Sequence, residues 1–143
     1  MTSRIFQRMH WFGWVCWLGV VIWTCTVFYL SSIAGPELAG MNVFDINDKM
    51  LHFAAFFCGV LALVPALRHA WDWPWKKVCI VAIVALSTYG ALDEVHQKFT
   101  PSRSALDPWD WLADFLGASA GAPLAAFTHA YISRKTRPAP PRN

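Results

Sequence analysis

The segment DEVHQKFTPSR, Asp93 to Arg103, places Asp93, Glu94, His96, Gln97, Lys98 and Arg103 directly behind the apolar run VCIVAIVALSTYGAL. Carboxylates, an imidazole and a guanidinium this close together can move protons or hold an anion. Two other stretches have compatible spacing. Asp48 and His52 are one helical turn apart and share a face, with Lys49 beside them. Asp107, Asp110 and Asp114 recur along one side of two successive turns. By the same spacing Asp93, His96 and Gln97 share a face, and Glu94 pairs with Gln97 and Lys98 along an adjacent one.

Three chemistries are open to such a set. In acid/base catalysis His52 or His96 transfers protons, Asp48 or Asp93 orients the imidazole, and Arg103 with Lys49 holds an anionic headgroup or phosphate. A metal could draw ligands from Asp93-x-x-His96 and Asp48-x-x-x-His52. There is, however, one carboxylate-x-x-His unit where di-iron bundles use two, and no HExxH, so no metal and no cofactor is assigned. Nucleophilic catalysis lacks a candidate, because Ser31, Ser32, Ser102 and Ser104 stand in no activating motif. There is no glycine-rich phosphate loop and no basic patch suited to nucleic acid. Cys16, Cys25, Cys58 and Cys79 all fall in apolar runs without CxxC spacing and read as small core residues.

The elements that must position these groups are apolar helices. The 143 residues are 56% hydrophobic and 15% charged, too apolar for an ordinary soluble domain, and nine Trp and ten Phe suit a chain that meets bilayer interfaces. The expected fold class is all-α, a polytopic membrane protein with four transmembrane helices. Trp11 to Leu30 is uncharged and, as a helix, reaches about 30 Å, the hydrocarbon thickness. Its length exceeds a signal-peptide core of roughly 7 to 15 residues, so an uncleaved first span is expected despite Ala34-Gly35 beyond it. The second run is Met50 to Leu67, with Pro65 bending only its last turn. The third is Val78 to Leu92, continuing through Gln97. The fourth opens on Asp107-Pro108-Trp109-Asp110, with Asp as N-cap, Pro at the first helical position and an acid three after the cap, and runs to Ile132.

Basic residues set the orientation. Arg4, Arg8, Arg68, Lys76, Lys77, Arg134, Lys135, Arg137 and Arg142 flank one side, against Lys49, Lys98 and Arg103 on the other. By the positive-inside rule both termini are cytoplasmic. The expected organisation is a cytoplasmic N-terminus over 1–10, a membrane domain over 11–132 and a basic, Pro-rich cytoplasmic tail over 133–143. Of the acids only Asp72 falls inside, while Glu37, Asp45, Asp48, Asp93, Glu94, Asp107, Asp110 and Asp114 gather at the outer face. HAWDWPWKK, with Trp71, Trp73 and Trp75 beside Lys76 and Lys77, reads as an inner-leaflet anchor. His10, His69 and His129 lie at the inner interface and receive no role.

Asp114 stands a full turn deeper than Asp110, and an ionised carboxylate toward the bilayer centre costs on the order of 2.5 to 3.5 kcal/mol. Arg103 is its expected partner, Lys49 the second candidate. Asp107 reads most simply as a cap, Asp110 as favourable first-turn charge and Lys98 as a solvated loop residue. Ala113, Gly117, Gly121 and Ala125 make a small-residue stripe that admits a close helix neighbour. Packing within the chain is the simpler use of it. The alternative is a seam for a homo-oligomer or a partner membrane protein at Gly117 and Gly121, which would make the chain a non-catalytic helper.

DKMLHFAAF (Asp48 to Phe56), YGALDEVHQKFTPSR (Tyr89 to Arg103) and DWLADFLGASAG (Asp110 to Gly121), preceded by FYLSS (Phe28 to Ser32), resemble the VanZ-like family of small bacterial membrane proteins. That family's pattern is roughly DK-x-x-H-F, DE-x-x-Q-x-F-x-x-x-R and D-x-x-x-N-x-x-G. Carried onto this chain, the resemblance marks Asp48, Lys49, His52, Asp93, Glu94, Gln97, Arg103 and Asp110. Asp114 departs from the usual Asn and Ser102 from a frequent Gly, and His96 is outside the pattern. The resemblance implies a multi-pass protein of the bacterial inner membrane, in a family linked to resistance to the lipoglycopeptide teicoplanin. The expectation is an outward-facing polar pocket that binds or modifies an anionic envelope component, a lipid headgroup or lipid-linked glycan. Glu94, His52 and Asp93 are the catalytic candidates, and Asp48, Lys49, Gln97, Arg103, Asp110 and Asp114 the binding residues.

Overall fold

The computed structural model describes residues 11–41 and 47–135, the last three by backbone alone. Among these the chain is all-helical, with α1 Trp11–Ser31, α2 Gly35–Met41, α3 Asp48–Ala70, α4 Trp75–Gln97 and α5 Pro108–Lys135. α1, α3 and α4 are each long and apolar enough to cross a membrane. α5, 28 residues long, opens with Asp110 and Asp114 in its first two turns and is not among those three. The basic flanks at Arg4, Arg8, Arg137 and Arg142, the acid Asp45 and the side chains of Arg134 and Lys135 lie outside the described residues.

Local chemistry explains the helix ends. Asn47 caps α3, its Oδ1 accepting from the Lys49 amide at 3.0 Å, so the helix starts two residues earlier than its apolar run. Asp107 caps α5 as expected: its Oδ1 accepts from the Trp109 amide at 2.8 Å. α4 begins at Trp75, just after Pro74, and runs through Gln97. α2 is not foreshadowed by the sequence, because Gly35-Pro36 reads as a breaker although proline is tolerated in a first turn.

The long helices alternate in direction. Phe12 of α1 packs on His69 near the end of α3, and His69 meets His129 near the end of α5. At the opposite end Ser31 of α1 reaches Asp93 of α4, and Lys49 of α3 reaches the start of α5. The polar cluster and the Trp-rich turn therefore occupy opposite ends of the bundle. In that turn Trp71 stacks on Trp73, Lys77 lies 4.0 Å over the Trp73 ring, and Arg68 pairs with Asp72.

α3 and α5 form the most extensive contact. A Cβ on Gly117 would sit 2.3 Å from the Phe53 carbonyl oxygen, and one on Gly121 would sit 2.5 Å from Val60 Cγ1. The small-residue stripe is thus covered by α3 of the same chain, and the backbones approach as closely as glycine permits. Around it Phe56, Val60, Val64, Val78, Ala82, Leu86, Ala118 and Ala122 form the core. α1 packs more loosely. Trp23 lies over Gly59 and donates from Nε1 to the Ala55 carbonyl at 2.7 Å, while Trp14, Leu18, Val21 and Ile22 point outward, apolar and exposed. Such a face suits lipid better than water.

Candidate functional site

Ends of α1, α3, α4 and α5 meet at the polar end, with the 98–107 loop folded across them. That loop is held down by Thr100 Oγ1, which donates to the Ser31 carbonyl at 3.0 Å, and by the Gly35 amide, which donates to the Pro101 carbonyl at 3.2 Å. Ser102 and Leu106 both take positive φ, 56° and 59°, to make the turns. Glycine is the residue that such a backbone favours, and serine holds it at position 102.

Beneath the loop lie four buried acids: Asp93, Glu94, Asp110 and Asp114. Each is handled differently. Asp93 Oδ2 accepts from Ser31 Oγ at 2.8 Å and from Gln97 Nε2 at 2.9 Å. Glu94 Oε2 accepts from the Asp107 amide at 3.0 Å, while its Oε1 is buried with no hydrogen-bond partner among the described residues. Asp110 Oδ1 receives Lys49 Nζ at 2.7 Å, and the same ammonium reaches Asp107 Oδ2 at 2.9 Å. Lys49 first, and the Trp109 amide second, hold the Asp107 carboxyl below its ordinary value.

Asp114 pairs with His52, Oδ1 to Nδ1 at 2.9 Å, and this corrects the expectation that Arg103 would offset its charge. Asp114 sits deep between helices, its carboxylate packed over Gly90, where a Cβ would fall 2.5 Å from Oδ2. His52, one turn into α3, faces it at that depth, whereas Arg103 is in the loop and Lys49 is engaged with Asp107 and Asp110. With Asp114 ionised, Nδ1 of His52 donates and Nε2 keeps its lone pair, free to take a proton or a metal ion.

Two further corrections concern α4. Glu94 does not run along Gln97 and Lys98; it turns inward to the amide of Asp107, and Lys98 is exposed. His96 points away from the acids, its ring stacked on Phe28 at 4.7 Å and its Nε2 3.0 Å from Ser32 Oγ. It does not join Asp93 and Asp48 in a ligand set. Ser31 was not singled out as a site residue, yet it is buried and fixes Asp93; its one sequence signal was the FYLSS stretch.

Next to this cluster lies a cavity of about 750 Å³ between α1, α2 and α3. Val27, Leu30, Leu38, Ala55, Phe56 and Cys58 are among its apolar lining, and Asp48, His52, Asp93, Gln97 and Arg103 make its polar end. Arg103 Nε there is buried without a partner among the described residues. The sequence-predicted set therefore divides. Asp48, His52, Asp93, Gln97 and Arg103 line the cavity, while Lys49, Glu94, Asp110 and Asp114 are absent from its lining.

No family model, curated protein or solved structure matches the chain.

Proposed function

We propose that the chain is a VanZ-like, four-span protein of the bacterial inner membrane, both termini cytoplasmic, which binds an anionic amphiphile of the cell envelope in the cavity between α1, α2 and α3. One observation carries this reading: the cavity is apolar along most of its wall and polar at one end, where Arg103 presents a partly unpaired guanidinium. An acyl or polyprenyl chain meets the apolar wall, and a phosphate or carboxylate head meets Arg103, whose planar fork suits such groups.

Three membrane-length helices support the membrane assignment, and the length of α5 with its packing on α3 from the Lys49–Asp110 end to the His69–His129 end supports a fourth crossing. The Lys and Arg asymmetry favours an outward polar end. Binding is favoured over modification because Oδ2 of Asp93 is held by Ser31 and Gln97, and one oxygen of Glu94 is committed to the Asp107 amide. The link to lipoglycopeptide resistance rests on the sequence resemblance alone.

Native mass spectrometry of the protein released from membranes tests the proposal. Anionic phospholipid or lipid-linked phosphate should be retained in preference to zwitterionic lipid, and Arg103→Gln should lose the preference by roughly tenfold. Equal retention of both classes, or a preference untouched by Arg103→Gln, contradicts it.

A further inference from the structure

Beside the cavity, Asp48 and His52 of α3 and Asp110 of α5 each offer a ligand atom, all within 4.8 Å of one another. From the convergence of these three side chains, with buried Glu94 and its unpartnered Oε1 within electrostatic reach of His52 and Asp110, we infer that this end of the bundle holds a divalent transition-metal cation. The inference does not depend on what occupies the cavity.

Four observations carry it. Asp114 fixes Nδ1 of His52 and leaves Nε2 available, the carboxylate–histidine arrangement that orients metal-binding imidazoles. Asp110 gives one oxygen to Lys49 and retains the other as an acceptor. Glu94, 4% exposed, has one oxygen on the Asp107 amide and the other unpartnered, and its electrostatic neighbours are His52, Asp110 and Asp114. Charge balance points the same way. Asp48, Asp93, Glu94, Asp107, Asp110 and Asp114 share this end with Lys49, Arg103 and the exposed Lys98, and the buried acids are the ones in excess.

Opposed ligands on a first-row dication are separated by about 4.2 Å at bond lengths near 2.1 Å, so a small closure of the three groups suffices. One imidazole with carboxylates suits Mn²⁺, Fe²⁺ or Zn²⁺ better than a soft ion, and the nitrogen disfavours Mg²⁺ and Ca²⁺. The ligand set differs from the one the sequence suggested: Asp48 and His52 remain, Asp110 joins them, and Asp93 and His96 drop out.

Tag-free, chelator-stripped full-length protein in lipid nanodiscs should be titrated with Mn²⁺, free ion being read from its EPR signal and Zn²⁺ by competition. Saturable binding of one ion per chain is expected, with a single imidazole nitrogen coupling in pulsed EPR. Asp48→Asn, at an exposed position, should weaken binding by about tenfold or more without changing the melting temperature of the stripped protein. Lys49→Met, which removes a competing ammonium, should tighten it. Absence of saturable binding for both ions, loss of the nitrogen coupling, or wild-type affinity in Asp48→Asn overturns the inference.

Discussion

His52 and Asp114, 62 positions apart in sequence, meet at 2.9 Å between α3 and α5, with Asp114 only 1% exposed. Removing one partner of such a pair leaves the other charge buried, which costs about 3 to 5 kcal/mol. His52→Ala should therefore lower the melting temperature in detergent far more than Asp114→Asn, which keeps a hydrogen-bonding group at the position. Equal melting of the two variants would show that the pair does not support the α3 to α5 contact.

Lys49 bridges Asp107 and Asp110 from a side chain that is 43% exposed, so solvent screening keeps its contribution to stability small. The bridge gives a pH signature. Asp107 is held below its ordinary value, so its contribution is complete above the unfolded carboxyl pKa, about 3.9, and is lost as pH falls through the lower folded value. Acidification from pH 5 to pH 3 should destabilise the wild type more than Lys49→Met, in melts recorded across that range. Parallel curves for the two proteins would remove this linkage.

The α3 to α5 seam has no room for a side chain at Gly117, where a Cβ would meet the Phe53 carbonyl at 2.3 Å, while nothing lies within 4 Å of a Cβ at Gly40. Gly117→Ala should cost roughly 1 to 3 kcal/mol or prevent folding, and Gly40→Ala should be tolerated. Detergent-solubilised yield and melting temperature read both. A Gly117→Ala protein as stable as Gly40→Ala would mean that the helices are not this close.

Ser102 holds φ at 56°, a conformation that costs a non-glycine residue roughly 1 kcal/mol. Ser102→Gly relieves that strain but frees the unfolded chain, so a net stabilisation of about 0.5 kcal/mol is expected from chemical denaturation. A destabilised Ser102→Gly would indicate that the hydroxyl, not the turn, decides the residue.

How much of this was legible beforehand follows from what each feature depends on. Helix existence depends on runs of apolar residues, so α1, α3 and α4 were readable, and the cap at Asp107-Pro108 marked the start of α5. Gly35-Pro36 hid α2, because local breaker chemistry there is compatible with a short helix that the loop at Pro101 and Ser102 holds in place. The polar residues were found, and the shared face of Asp93 and Gln97 holds, but the partners across helices were not. Spacing along one helix says which side chains share a face; it says nothing of the depth at which two helices meet. That depth brings His52, not Arg103, to Asp114 and turns Glu94 inward to the Asp107 amide.

The occupant of the cavity is tested most directly by photo-crosslinking. Protein in membranes carrying an anionic phospholipid with a diazirine in its acyl chain is irradiated, digested and mapped by mass spectrometry. Adducts concentrated on the cavity-lining residues Leu30, Leu38, Leu51 and Cys58, and lost in Arg103→Gln, are the expected result. Adducts confined to the outward residues of α1, such as Leu18 and Ile22, with the cavity lining unlabelled, would contradict the account.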